Sequence, residues 1–258
     1  GPGFSTGIRK QEGDYTIGAG STLEIEIEGA TPGAGGYDQY QIIGDMIIES
    51  NTTLNIVVTS SYTNSVAAGD QFIIALVTGN ISGSFGALTW SGLDTTKYFK
   101  VTTENISSNH YQIIATIFNN NVPEGNDEAE TILEDSVLTK TITGKDDDGH
   151  AILFKFIDAP SLGQIRTIDN VVLTDNNTLV FNNSPNTSGT IQVKYHPNED
   201  VNGIDSFKYQ LIDSIGAKSP TYNVTINITA ENDRPRGLVV STNILDENVE
   251  LDTVVGTL

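Results

Sequence analysis

The sequence predicts an all-β chain, and three observations carry that prediction. Leu23-Glu24-Ile25-Glu26-Ile27-Glu28 alternates strictly between apolar and charged residues, the period of a strand with one buried face. Thr221 to Ile228 alternates almost as well, with β-branched residues on one side. Gln71 to Val77 and Tyr111 to Phe118 are short apolar runs bounded by Gly, Asn or Asp, which is how fully buried strands read. No convincing long amphipathic helix is present.

At 258 residues the chain is long enough for at least two domains. Asn119 to Asp127 is a polar, turn-rich stretch after a strand, as linkers are, and Ala230-Glu231-Asn232-Asp233-Arg234-Pro235 is a second. The boundaries expected are therefore 1–121, 122–233 and a short tail, 234–258. Aperiodic Gly-rich turns in the first part, such as Gly33 to Asp38 and Gly69-Asp70, leave two alternatives there, a β-solenoid end or a β-sandwich.

Charge narrows the function. Thirteen Lys and Arg against 33 Asp and Glu give a net charge of -20, which repels phosphate backbones and anionic lipid, so neither nucleic acid nor the membrane is an expected partner. The same excess is self-repulsive unless cations neutralise it, and hard divalent cations prefer oxygen ligands, which points to calcium. With no Cys there are no disulfides and no thiolate metal sites, an absence that leans towards a bacterial protein. No run approaches the ~18 apolar residues of a membrane helix. Gly1-Pro2 reads as a protease-cleavage remnant, and the chain as a fragment whose targeting segments lie elsewhere.

The carboxylates that carry chemistry lie in the second part: Glu134-Asp135-Ser136, Asp146-Asp147-Asp148-Gly149, Asp213 and Asn232-Asp233-Arg234-Pro235. An Asp-x-Asp pair lets successive carboxylates converge on one cation that takes six to eight oxygens at about 2.3 to 2.6 Å. An isolated acidic tract is otherwise a solvated turn. The order of these pieces, with Tyr195 to Tyr209 between them, resembles the cadherin-like and immunoglobulin-like tandem repeats of large bacterial adhesins. That resemblance covers about residues 122 to 235. It implies an antiparallel sandwich of ~100 residues, with calcium at the junctions between repeats. The implied metal ligands are Glu134 (or Asp135 in its place), Asp146, Asp148 and Asp213, with Asn232 and Asp233 from the linker. Ile244 to Val249 and Val254 to Leu258 look like the start of another repeat, whose opening ligand would be Glu247. Asp205 is expected instead to fix a turn by accepting backbone amides.

In the first part, Gly36 to Asp45, Leu54 to Val58, Ala68 to Phe72 and Ile81 to Phe85 follow an order that resembles the C-terminal end of the parallel β-helix in autotransporter-type surface proteins. Its glycines suit tight corners and close backbone approach.

An enzyme is not expected. His110, His150 and His196 stand apart from any nucleophile pattern, and a surface or turn role is the expectation for each. The single Trp is sparse for a sugar-cleaving cleft, and core packing is the preferred reading of Trp90. The chain thus reads as a secreted, cell-surface stalk segment rigidified by calcium. The alternative is a module that binds a glycan or protein through Tyr37, Tyr40, Tyr62 and Trp90, taken as exposed.

Overall fold

The computed structural model describes residues 5–180, 182–183 and 188–232. Every regular element among them is a strand. No helix there is long and apolar enough to cross a membrane.

The first part contains β1 (Ile8–Glu12), β2 (Tyr15–Ile17), β3 (Thr22–Ile27), β4 (Gln39–Ile43), β5 (Met46–Ile48), β6 (Thr53–Val58), β7 (Gln71–Val77), β8 (Ile81–Gly83), β9 (Ala87–Ser91), β10 (Lys97–Ser107) and β11 (His110–Asn119). Pairing is parallel along β1-β4-β7, β2-β5-β8 and β3-β6-β9. The chain therefore visits three sheets in turn and returns to the first, laying down three stacked rungs. Inward positions line up from rung to rung: Leu23, Leu54 and Leu88 form one ladder, and Ile25, Ile56 and Trp90 the next. Ile25, Leu54 and Ile56 are fully buried, each worth roughly 1.5–3 kcal/mol over an exposed side chain.

Close stacking explains two glycines. Gly83 and Gly92 have φ of +81° and +82°, and a Cβ on either would fall 1.9 Å from the carbonyl oxygen of Ile48 or Val58 in the rung before. The last rung is closed by a hairpin: β11 pairs antiparallel with β7, β10 lies outside it, and Ile113, Ala115 and Ile117 enter the same core. That hairpin covers a sheet edge otherwise open to pairing.

The second part contains β12 (Glu128–Leu133), β13 (Leu138–Lys145), β14 (Ile152–Asp158), β15 (Gly163–Thr167), β16 (Thr178–Val180), β17 (Asn182–Asn183), β18 (Ser188–Pro197), β19 (Gly203–Asp213) and β20 (Lys218–Thr229). One sheet runs β12-β20-β19-β14-β16, the other β13-β18-β15 with β17 also on β18. Pairing is antiparallel except for β12 on β20. Between the sheets, Ile142, Ile165, Val193 and Tyr195 meet Phe154, Phe156, Phe207, Tyr209, Leu211, Val224 and Ile226 in a second core, which makes this part a β-sandwich. The buried apolar side chains of the first core end at Ile117 and those of the second begin at Ile142. The tail 234–258 lies outside the described residues, as do the strand starts expected at Ile244 to Val249 and Val254 to Leu258.

Asp205 does what its place after Gly203 suggested. Its carboxylate accepts the backbone N–H groups of Ser161, Leu162 and Ser206 at 2.8, 2.9 and 2.9 Å. The Tyr195 hydroxyl donates to it at 2.6 Å.

Candidate metal centre

The segment joining the two parts is tied on both sides. Asn120 N–H donates to Thr96 O at 2.7 Å, and its side-chain Nδ2 donates to Thr95 O at 2.8 Å, both in the turn before β10. The same Nδ2 reaches Asp213 Oδ2 of the sandwich at 2.7 Å. Asn121 N–H donates to Asp148 Oδ2 at 2.6 Å, and Glu124 exchanges backbone bonds with Lys145 at 2.7 and 2.9 Å. A stretch whose composition reads as a linker is thus fixed against both bodies.

Two turns of the sandwich face this segment. In Asp146-Asp147-Asp148-Gly149 the Asp146 Oδ1 accepts the N–H groups of Asp148 and His150, each at 3.0 Å. Gly149 closes the turn at φ +80°. In the β19–β20 turn the Asp213 Oδ1 accepts three successive N–H groups, from Ile215, Gly216 and Ala217, at 2.9, 2.7 and 2.8 Å. Both carboxylates are therefore held by their own backbone, each with one oxygen turned to other work. One donor atom each from Asp146, His150 and Asp213 lie within 4.8 Å of one another.

Burial makes the cluster unlike a solvated turn. Asp146 is 1% exposed and Asp213 2%, and desolvation pushes the Asp146 carboxyl above its usual range, with the Asp213 charge adding to it, against opposing hydrogen bonds and the His150 charge. Asp146 Oδ2 and Asn120 Oδ1 are buried without a hydrogen-bond partner, as is His150 Nδ1. Buried oxygens left unpartnered cost free energy unless something positive meets them. The residues present fit a divalent cation on that ground: three carboxylates, an amide oxygen and an imidazole nitrogen at one junction.

Of the ligands the sequence suggests, Asp146 and Asp213 come together here, while Asp148 spends its two oxygens on the N–H and Nδ2 of Asn121 at 2.6 and 3.2 Å. Glu134 and Asn232 do not join them. Glu134 N–H donates to Thr229 O and its carboxylate accepts Glu231 N–H at 2.6 Å, placing it beside the start of β19, whereas Asp213 closes the other end of that strand. The 11 residues of β19 span roughly 35 Å at ~3.3 Å per residue, too far for one ion to use both ends. Asn232 is exposed on the segment following β20, and Asp233 and Glu247 lie outside the described residues. Asn120, Asn121 and His150 went unnoticed as candidates. The one signal available was the Asn119-Asn120-Asn121-Val122-Pro123 linker itself, which precedes the sandwich as Asn232-Asp233-Arg234-Pro235 follows it.

No family model matches this chain, and no curated protein does. Among solved structures, the PapD-like domain 7 of human CEP192 is similar to it at 5% identity and TM-score 0.29, over 44% of this chain and 89% of that one. The SrpA adhesin of Streptococcus sanguinis is similar at 16% identity and TM-score 0.28, over 43% and 58% of the two chains. A sialic acid-binding region of a Streptococcus sanguinis SK1 adhesin, bound to 3'sLn, is similar at 11% identity and TM-score 0.30, over 51% and 38%. Two of these neighbours are bacterial surface adhesins and one is a PapD-like domain. Likeness at this level carries no argument about what this chain does.

The aromatic platform expected on the first part is corrected. Tyr37 and Tyr40 are 4% and 2% exposed, Tyr37 packing edge-on to Phe72 and Tyr40 against Tyr15. The backbone around them explains why: Asp38 accepts Gly7 N–H and Glu26 N–H, and Gln39 donates to Ile73 O, so residues 36–40 are all drawn inward. Trp90 packs on the core at the end of its ladder, its ring edge-on to Phe99. Its remaining surface borders a shallow recess shared with Ser214 and Ile215 of the sandwich. Tyr62 is half-buried against the same core.

Proposed function

We propose that this chain is a non-enzymatic stalk segment of a secreted bacterial cell-surface adhesin, in which calcium at the coil–sandwich junction turns two bodies into one stiff unit. The observation that supports this reading is the approach of Asp146 and Asp213 to one another beside the joining segment, which Asp213 and Asp148 hold through Asn120 and Asn121, with Asp146 Oδ2 and Asn120 Oδ1 buried and unpartnered. Asp146, Asp148, Asp213 and Asn120 would hold the ion. Bound there, calcium supplies positive charge to oxygens that otherwise repel one another. The chain's own groups prepare the place: backbone amides orient both buried carboxylates, and Asn120 Nδ2 already brings Asp213 Oδ2 and Thr95 O to 2.7 and 2.8 Å of one point. The net charge of -20 agrees with a protein that works in the presence of a neutralising divalent cation. The order of the acidic pieces, resembling adhesin repeats, supplies the surface-adhesin part of the proposal.

Thermal unfolding of the chain in EDTA, in millimolar calcium and in millimolar magnesium tests it, because a ligand bound only to the folded state raises stability by about 2.7 kcal/mol at a hundred times its Kd. A calcium-selective rise that disappears in Asp146→Asn with Asp148→Asn is expected. No rise with calcium ends the reading.

A second reading, a module that binds a glycan or protein, is favoured by the recess beside Trp90. Retention on a glycan array that is lost in Trp90→Ala would favour it over a pure spacer.

A further inference from the structure

Calcium ligation by oxygen leaves one buried donor of the junction without work, the Nδ1 of His150. That atom has no hydrogen-bond partner and lies 3.7 Å from Asp146 Oδ1, beyond bonding distance. The His150 side chain is 14% exposed and its ring stands edge-on to Tyr98 of the coil, with centroids 4.6 Å apart. An imidazole nitrogen is a poor ligand for calcium and a good one for the first-row transition ions and zinc.

We propose that the junction is also a site for a borderline divalent cation of the zinc or cobalt(II) class, held by His150 Nδ1 with Asp146 and Asp213. The proposal rests on the same cluster as the calcium reading, not on calcium occupying it. Donor atoms of these three residues lie within 4.8 Å of one another, and around an ion with bonds near 2.0–2.2 Å they need approach to roughly 3.4 Å in tetrahedral geometry. Binding would therefore draw the most distant donors together by up to about 1.4 Å. The acidic cluster alone would not point to a metal. Asp146 does, because it is 1% exposed and its Oδ2 is unpartnered.

Support behind the ligands is already built. Asp146 Oδ1 takes two backbone N–H bonds and Asp213 Oδ1 takes three, which leaves Asp146 Oδ2 unpartnered and Asp213 Oδ2 with the single bond from Asn120 Nδ2 that a metal would displace. Tyr98, 3% exposed, braces the imidazole from the coil. Such outer contacts fix ligand orientation, and disturbing them commonly costs 10–100-fold in metal affinity. Because the brace comes from β10 and the ligands from the sandwich, a metal on His150 couples both bodies, as calcium is proposed to do.

The test is a titration of the whole, EDTA-stripped chain with cobalt(II) chloride, followed by visible absorption, and with zinc chloride by calorimetry. One equivalent of either is expected to bind. His150→Gln should weaken both by at least about tenfold, since it removes a ligand outright, while His110→Gln changes nothing. The calcium-induced rise in melting temperature should survive His150→Gln, which separates this proposal from the calcium reading. In the unsubstituted chain, zinc should move the Nδ1 nitrogen resonance of one histidine, the one absent from His150→Gln. That measurement stands even if the variant is too unstable to titrate, because the resonance is then assigned through the His110→Gln and His196→Gln spectra by elimination. Unchanged affinity in His150→Gln, or a zinc-independent His150 resonance, overturns the proposal.

Discussion

Asn120 Nδ2 donates to Asp213 Oδ2 across 2.7 Å, a buried bond between residues 93 positions apart. It joins the segment leaving the coil to the β19–β20 turn of the sandwich, and the same nitrogen holds Thr95 O on the coil side. Asn120→Ala strips a buried charged acceptor of its partner, which costs about 1–3 kcal/mol. The variant should melt lower in calorimetry and be cut faster between residues 119 and 124 by a trace of protease. Unchanged cleavage would mean the bond does not hold the joint.

Trp90 is the only Trp of the chain, and it lines a recess together with Ser214 and Ile215, one and two residues beyond Asp213. Its fluorescence should therefore report on the junction without any label. Adding calcium to the EDTA-treated chain is expected to shift or quench the emission, with no response in Asp146→Asn with Asp148→Asn. A flat emission alongside a calcium-raised melting temperature would place the ion away from this turn.

Asp205 is 4% exposed and accepts from Ser161, Leu162, Ser206 and Tyr195. Hydrogen bonds to a charged group contribute about 1.5–3 kcal/mol each, so Asp205→Ala should cost roughly 3 kcal/mol or more by urea unfolding. Tyr195→Phe removes one of the five hydrogen bonds these four residues donate and should cost less. Calcium affinity should be the same in both folded variants, because these residues brace the loop of Ser161 and Leu162 and not the junction.

His196 contributes one pH dependence to stability. Burial, and then the charges of Arg166 and Lys194, hold its imidazole below the usual 6.5. With the folded value depressed, the unfolded chain binds the extra proton first as pH falls, so stability drops from pH ~6.5 down to the folded value and is full above it. Melting temperatures compared at neutral pH and at pH near 5 should differ less in His196→Gln than in the unsubstituted chain. An imidazole titrating above 6.5 by NMR would reverse the sign.

Strands were the legible part of this molecule. The run Gln71 to Val77 is β7 to the residue, and Tyr111 to Phe118 lies within β11, because short apolar runs between turn residues have few other ways to fold. Tyr37 and Tyr40 defeated the same reasoning. Residues 36–40 are buried one after another, with no alternation, since Asp38 and Gln39 spend their polar groups on neighbouring rungs. The acidic turn Asp146 to Gly149 was legible as a candidate, but not the partners it would have. Asn121 lies 27 positions before Asp148 and Asn120 lies 93 before Asp213. His150, with its nitrogen turned towards Asp146 and its ring on Tyr98, reads in the sequence as an ordinary residue after a turn.

Local patterning by itself determined that the chain is all-β and that its second part carries acidic turns. Those are properties of residues a few positions apart, where strand period and turn chemistry act. The tertiary structure alone decided that the first part is a coil of stacked rungs, that Glu134 is separated from Asp213 by the length of β19, and that the joining segment closes the cluster. Strand order and the meeting of distant turns are set by how two cores pack, and packing depends on contacts that have no local signature in the chain.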